Sequence, residues 1–227
     1  MRGMAPSSSS RAGRPPRTSR EAILAAARGL IAREGWQRLT FRRLAAELGV
    51  GTTTLYHHVR DREDLVIQLL NDQAARTARP ELPGDPHERI IAAGIAVHDT
   101  LARWPWAAEV VATDGFIVRL GEPALWMVDA IVGGALDAGC TQAEAVVVFR
   151  SVWYYTVGEI IVRARTADRP SDAPRAVDAD SFTGLDPERL PHLAAVRGEW
   201  GRESARDTYA EGLRAFVGGL LDRGRVR

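Results

Sequence analysis

Residues Leu30–Leu70 read LIAREGWQRLTFRRLAAELGVGTTTLYHHVRDREDLVIQLL. Apolar residues recur at helical intervals, and turn residues punctuate the segments. Just upstream, Ser19 precedes Ile23, Ala27, Leu30 and Ile31, and Gly35 stands where a helix end wants positive φ. Thr40 is placed to cap FRRLAAEL, whose Leu44, Ala45 and Leu48 share one face. Gly49-Val50-Gly51 is a tight break; Thr52 or Thr53 then opens a short helix with Leu55 and Val59 inward at i, i+4. Asp61 is placed to cap a fourth helix from about Arg62 to Arg79. Helix, glycine turn and short helix over residues 40–59 predict a helix-turn-helix. A steep crossing needs the small and apolar Leu44, Ala45, Leu48, Val50 and Leu55 at its junction, and the turn takes glycine because a side chain resists positive φ. Thr52, Thr53, Thr54, Tyr56, His57 and His58 are left outward, as hydrogen-bonding side chains. Thr52–Thr54 also read as a simple capping run, and Tyr56 as half-buried packing.

Beyond this stretch the spacing predicts helices over about 87–103, 105–113, 122–138, 141–166 and 202–223, separated by Pro80, Pro83-Gly84-Asp85, Pro105, Gly121 and Gly139-Cys140-Thr141. No alternating strand pattern with hairpin turns is present, so the fold class is all-α. Three parts are expected: a disordered basic arm over 1–18, a three-helix helix-turn-helix domain over 19–66, and a larger helical domain over 67–227. Within the last, residues 167–190 are acidic, polar and proline-containing and read as a long mobile loop.

The chain has 227 residues with 30 basic and 29 acidic side chains, and every basic one is arginine. The near-neutral balance hides an asymmetry. Residues 1–62 carry twelve arginines against four acids, a net +8, whereas the remainder carries −7. A basic front on an acidic body suits a protein whose front meets a polyanion, either nucleic acid or a membrane surface. Residues 1–18 contain Arg2, Arg11, Arg14 and Arg17 and no acid. They read either as a solvated tail or as an arm that lies along phosphates or in a minor groove. An Arg- and Ser-rich transit peptide fits less well, since no apolar helical face is present, and the missing apolar segment argues against a secretory signal. No apolar run approaches the roughly 18–20 residues that span a bilayer, so no membrane association is expected. One cysteine, Cys140, permits neither an internal disulfide nor a thiolate metal cluster and points to a reducing, cytoplasmic setting.

The string from the first helix ending in Glu34-Gly35, through Thr40, LAAELGV and TLYHHVRDREDL, resembles the DNA-binding domain of the TetR family of transcriptional regulators, without a gap over about fifty residues. LARWPWAAEVVATD (residues 101–114) and the helices after it are similar to the effector and dimerisation domains of relatives of the tetracycline repressor. The resemblance implies a homodimer on a pseudo-palindromic operator in double-stranded DNA, with a small-molecule effector. It places Thr40 and Arg42 at the start of the second helix, against phosphate and a base edge; Arg binds guanine bidentately, worth roughly 1–3 kcal/mol of discrimination. Thr52, Thr53 and Thr54 would open the recognition helix, Tyr56 and His58 would touch phosphate, His57 would read sequence, and Arg62 would pair with a phosphate. Leu44, Leu48 and Leu55 match core positions. The family often has lysine near positions 60–62; Arg60 and Arg62 keep the charge and change the geometry.

The helix over 141–166 is apolar on nearly all sides. Val146, Phe149, Trp153, Val157 and Ile160 form one stripe, Val148, Val152, Tyr155 and Glu159 a second, and Val147, Arg150, Tyr154 and Ile161 a third. In the last helix Tyr209, Leu213, Phe216, Val217 and Leu220 align. Val148, Val152, Tyr155, Leu213, Phe216, Val217 and Leu220 are thus candidates for a four-helix dimer interface, the other reading being an internal core. Six tryptophans are present, four of them between residues 104 and 153. Core packing is one reading. The other is an apolar pocket with a few polar handles, for which Trp104, Phe116, Trp126, Phe149, Arg150, Trp153, Tyr154 and His98 are candidates, with Asp114 and Glu159 as further handles. Arg150 and Glu159 are candidates to pair with each other.

No phosphate-cradling glycine loop, HExxH, nucleophile elbow or Cys–His pair supports an enzyme. Adjacent His57 and His58 point about 100° apart on a helix, and His57 with Asp61 offers too few ligands, so no metal and no cofactor are expected. The reading is a sequence-specific repressor released by a mostly apolar ligand. The alternatives are an effector-independent or nonspecific DNA binder, whose affinity would follow salt and not sequence, and a helical enzyme.

Overall fold

A computed structural model describes residues 18–77, 79–113, 115–167 and 184–225. These residues form ten α-helices and two short 3₁₀ turns, without a strand. They fall into two compact units that divide between Leu69 and Leu70. The expected arm lies, up to residue 17, outside the described residues, as do residues 168–183 of the expected loop.

The first unit comprises α1 (Arg20–Glu34), α2 (Phe41–Leu48), α3 (Thr52–Tyr56) and the first half of α4 (Arg62–Arg76). The Ser19 hydroxyl accepts from the Ala22 N–H at 3.2 Å, and the Thr40 hydroxyl accepts from the Arg43 N–H at 3.1 Å. Each satisfies a donor the helix start leaves open. Gly49, at φ 67°, ends α2 in the left-handed conformation that glycine adopts without strain. Ile23, Leu24, Ala27, Leu30, Leu44, Leu55, Val59, Leu65, Val66 and Leu69 make the core. Leu48 is half-buried. The helix expected over residues 52–59 stops at Tyr56. The N–H groups of His58 and Val59 both donate to the Leu55 carbonyl at 2.9 Å, which closes the helix and leaves His57 and His58 in the turn.

The second unit holds α5 (Pro86–Ala102), α6 (Pro105–Val111), α7 (Glu122–Asp137), α8 (Gln142–Ala167), α9 (Pro191–Ser204) and α10 (Tyr209–Arg225). Asp85 caps α5 and Pro86 occupies its first turn, where a missing N–H costs nothing. Thr141 and Glu144 form a reciprocal capping box at the start of α8. Helix α5 packs against α7, α8 and α10, around Ile90, Ile91, Ile131, Val148, Val152, Leu213 and Val217. The Tyr209 hydroxyl is buried there; it shares a hydrogen bond with Thr156 at 2.8 Å and donates to the Gly94 carbonyl at 3.1 Å.

Two sequence expectations are corrected here. Val148, Val152, Leu213 and Val217 are at most 3% exposed within one protomer, so they are core and not partner-facing. Three stripes run along α8, and periodicity alone does not tell which one the chain covers itself. Second, α9 lies between the expected loop and the expected last helix; it buries no residue, so no strong apolar face marks it. By length and composition alone α8 would also be long and apolar enough to cross a membrane, although no uninterrupted apolar run of that length is present in the sequence. Its Ala145, Val148, Phe149, Val152, Val157 and Ile160 are used in the unit's interior.

Candidate functional site

In the first unit, Arg42 is exposed on α2, Thr52 and Thr53 are exposed on α3, and His57 and His58 are exposed in the turn that follows. Thr54 is half-buried and Thr40 is spent as the α2 cap, its exposed side chain still at the surface. Tyr56 is 57% exposed. Its ring stacks on Phe41 at 4.9 Å with the planes 4° apart, which locks α3 to α2 and fixes the direction of the phenol.

The neighbouring charges sort themselves. Arg43 grips Glu34 through two nitrogens, at 3.2 and 2.5 Å, and holds that carboxyl below its ordinary range. Arg33 pairs with Glu47 at 2.7 Å. Among the described residues Arg42 makes no such pair. Arg62 is the correction in this group: its guanidinium lies 4.0 Å from the centre of the Trp36 ring and donates to the Trp36 carbonyl at 2.6 Å. It braces the 3₁₀ turn Trp36–Arg38 instead of standing free for a phosphate.

Sequence reasoning missed a polar clamp behind the outward set. Gln68 on α4 donates to the His58 carbonyl at 3.0 Å and to Asp64 at 2.9 Å. Asp64, 8% exposed, accepts from the Arg60 N–H at 3.0 Å, and Arg20 donates to Gln68 at 2.9 Å. A buried carboxylate needs such donors. The signal was hidden because Asp64 closes the charged run Asp61-Arg62-Glu63, which reads as a solvated helix start, while Gln68 stands alone in an apolar run and its partners Arg20 and the His58 carbonyl are distant in sequence.

The second unit holds two adjoining cavities. An inner one of about 60 Å³ is lined by Val97, Leu101, Val111, Met127 and other apolar side chains, including Leu70 and Ala74 of α4. An outer cleft of about 290 Å³ adds Thr113, Arg150 and Tyr154. Phe116, Val128, Phe149 and Trp153 line both. Phe116 and Trp153 stack at 4.5 Å, and Arg150 donates to the Tyr154 hydroxyl at 2.5 Å. Phe116 comes from the 3₁₀ turn Phe116–Arg119, held at its far end by Asn71, which accepts from the Gly121 N–H at 2.7 Å.

Phe116, Phe149, Arg150, Trp153 and Tyr154 are thus brought together as expected. Trp104, Trp126 and His98 are not among the lining residues. Trp104 stacks on Trp106, and His98 is held between Asp99 (3.1 Å) and Glu159 (3.0 Å) with its ring on Tyr209. Glu159 bonds His98 and Arg163, so the expected Arg150–Glu159 pair is not formed. Asp114 lies outside the described residues. The aliphatic lining was not recoverable from sequence, since Val, Leu and Met on a cavity wall look the same as in a core.

Comparisons with known proteins agree with both units. Residues 23–69 match the family model described as bacterial regulatory proteins, tetR family, and residues 79–223 match the tetracyclin repressor-like C-terminal domain. The tetracycline repressor protein class C of Escherichia coli is 27% identical over 207 residues, covering 88% of this chain and 90% of that one. The Streptomyces coelicolor TetR family protein ActR, solved in complex with actinorhodin, has the same fold with a TM-score of 0.74 at 20% identity, covering 91% of this chain and 98% of ActR. BioQ, solved with its double-stranded DNA operator, aligns with a TM-score of 0.61 at 22% identity, covering 90% and 98%. With both of its units matched in order and the second match alone spanning more than half of its length, the chain belongs to the tetR family of bacterial regulatory proteins.

Proposed function

We propose that the chain is a transcriptional repressor that binds a pseudo-palindromic operator as a homodimer and is released by a small, mostly apolar molecule. The observation that carries this reading is the outward set Arg42, Thr52, Thr53, Tyr56, His57 and His58. Arg42 has no ion pair among the described residues, while Arg33 and Arg43 beside it are neutralised. An exposed arginine and short hydroxyl side chains at adjoining helix starts suit base edges and phosphates. Thr40, Thr54 and Arg62 belong to the same surface in a supporting role.

The cavities support the second half of the reading. Apolar walls, an aromatic pair and a rim of Arg150 and Tyr154 favour a ligand with an apolar body. A ligand that prefers the form with lower DNA affinity shifts the population towards it, by as much as its differential affinity. For the dimer, α8 and α10 expose Val147 (57%) and Phe216 (37%), flanked by half-buried Tyr155 and Leu220. These replace the buried valines and leucine first expected there. The protein acts by binding, as a regulator and not a catalyst.

The test is selection of genomic fragments by the purified chain at near-physiological salt, in parallel with an Arg42→Ala, Thr52→Ala double variant. Both side chains are exposed, so the variant keeps its fold. Recovery of one inverted repeat, lost in the variant, is the expected result. Fragments without a shared site, or equal recovery by the variant, refute the assignment.

A further inference from the structure

We infer that the inner cavity of the second unit is a chamber for the hydrocarbon tail of the effector. The effector is then an amphiphile, with an oxygen-bearing head in the outer cleft and a short alkyl tail behind the stacked rings of Phe116 and Trp153. This rests on the effector-site reading above and deepens it, since that reading asks only for a mostly apolar body.

The first support is what the chamber lacks. Thr100 brings a hydroxyl to its wall, but that hydroxyl is turned to its own helix and donates to the Ala96 carbonyl at 2.7 Å. Among the described residues no buried side-chain nitrogen or oxygen is left without a partner. A water held in a cavity needs about 2–4 polar partners, and a polar group moved into this one gives up its hydration without replacement. Carbon is the occupant the walls favour. At about 60 Å³ the chamber holds about two methylene groups, each about the size of a water at ~30 Å³.

The second support is the division between the two cavities. Phe116 and Trp153 line both and stack at 4.5 Å. Trp153 is carried in the middle of α8, whereas Phe116 stands on a 3₁₀ turn that buries none of its residues, so the Phe116 ring is the one free to swing. Behind it Met127 offers an unbranched side chain that refits around a guest. Thr113, Arg150 and Tyr154 bring polar groups to the cleft, and none of them lines the chamber. The Thr113 hydroxyl donates to the Val110 carbonyl at 3.1 Å and can accept. The Tyr154 hydroxyl accepts from Arg150 at 2.5 Å and keeps its own proton to donate to an oxygen. Polar and apolar demands are thus separated across one pair of rings. An amphiphile matches that pattern; a compact hydrocarbon or a uniformly polar molecule does not.

The experiment titrates the full chain with 4-alkylphenols from methyl to hexyl, followed by isothermal titration calorimetry. Each methylene that enters the chamber is expected to tighten binding about fourfold. The rise runs for about two carbons beyond the rings and then levels, because the chamber is full. In an Ala124→Leu variant the larger side chain fills the chamber, and the series is expected to be level throughout; should that variant fail to fold, the parent series still decides. A parent series level from the start, a rise that continues through hexyl, no binding by any member, or the parent's rise repeated in the folded variant overturns the inference. The same phenols are then added to the chain on a labelled mixed-sequence duplex of roughly 30 base pairs, followed by fluorescence anisotropy. A rise that levels, without loss of duplex binding, upholds the tail chamber and overturns the effector role beneath it, a distinct result.

Discussion

Gly133 and Gly134 are neighbours in α7, and replacing each by alanine is expected to move stability in opposite directions. A Cβ on Gly134 meets Ile90 Cγ1 at 2.7 Å and the Pro86 carbonyl oxygen at 2.9 Å. Ile90 is fully buried, and the carbonyl is backbone at the start of α5. A Cβ on Gly133 meets nothing within 4 Å. Both substitutions gain helix propensity, about 0.8–1.0 kcal/mol. Only Gly134→Ala adds overpacking, which costs about 1–3 kcal/mol, and the rigid carbonyl places it in the upper part of that range. The net expectation is a gain of about 1 kcal/mol for Gly133→Ala and a loss of about 1–2 kcal/mol for Gly134→Ala. For a domain of this size these are shifts of roughly +2 to +4 °C and −2 to −8 °C in Tm. The same contact matters to function, because α5 and α7 supply Val97, Leu101, Met127 and Val128 to the cavity walls. Differential scanning calorimetry of the two variants and the parent decides it. A Gly134→Ala protein that melts at or above the parent, or above Gly133→Ala, refutes the close-approach argument.

Phe116→Ala removes the ring that stacks on Trp153 between the two cavities. Displacing such a pair costs about 0.5–1.5 kcal/mol, so an apolar fluorophore such as anilinonaphthalene sulfonate is expected to bind up to about tenfold more tightly; weaker binding refutes the gating role of the pair, and an unchanged titration removes Phe116 from the site. Burial pushes the Tyr209 hydroxyl well above its ordinary value of 10. Its neutral form is the one the fold accepts, so its contribution is complete below about pH 10 and falls above it, by up to about 1.4 kcal/mol per pH unit. Tyr209→Phe lacks this alkaline loss but loses the bonds to Thr156 and Gly94, about 1–2 kcal/mol at neutral pH. Urea melts at pH 8 and pH 11 are expected to show the difference between the two proteins shrinking; a constant gap counts against the buried phenol.

The helix-turn-helix was legible because its determinants are local. Caps at Ser19 and Thr40, the left-handed Gly49, and apolar residues at helical intervals act within a few residues of one another, so spacing alone exposes them. The same holds for the outward threonines and histidines, whose exposure follows from Leu55 and Val59 facing in. The charge asymmetry is likewise a property of composition. What the tertiary structure decided is everything that depends on which neighbour arrives. On α8, three equivalent stripes became core, cavity wall and exposed face only once α5, α7 and α10 had packed. Four expected dimer residues proved internal for that reason, and His98 and Trp104 went to side-chain partners away from the cavities. Arg62 found Trp36 across 26 positions of sequence, and Gln68 found Arg20 across 48. Periodicity records which residues can share a face; only packing settles what that face meets, because the energy of burial belongs to the pair and not to either residue alone.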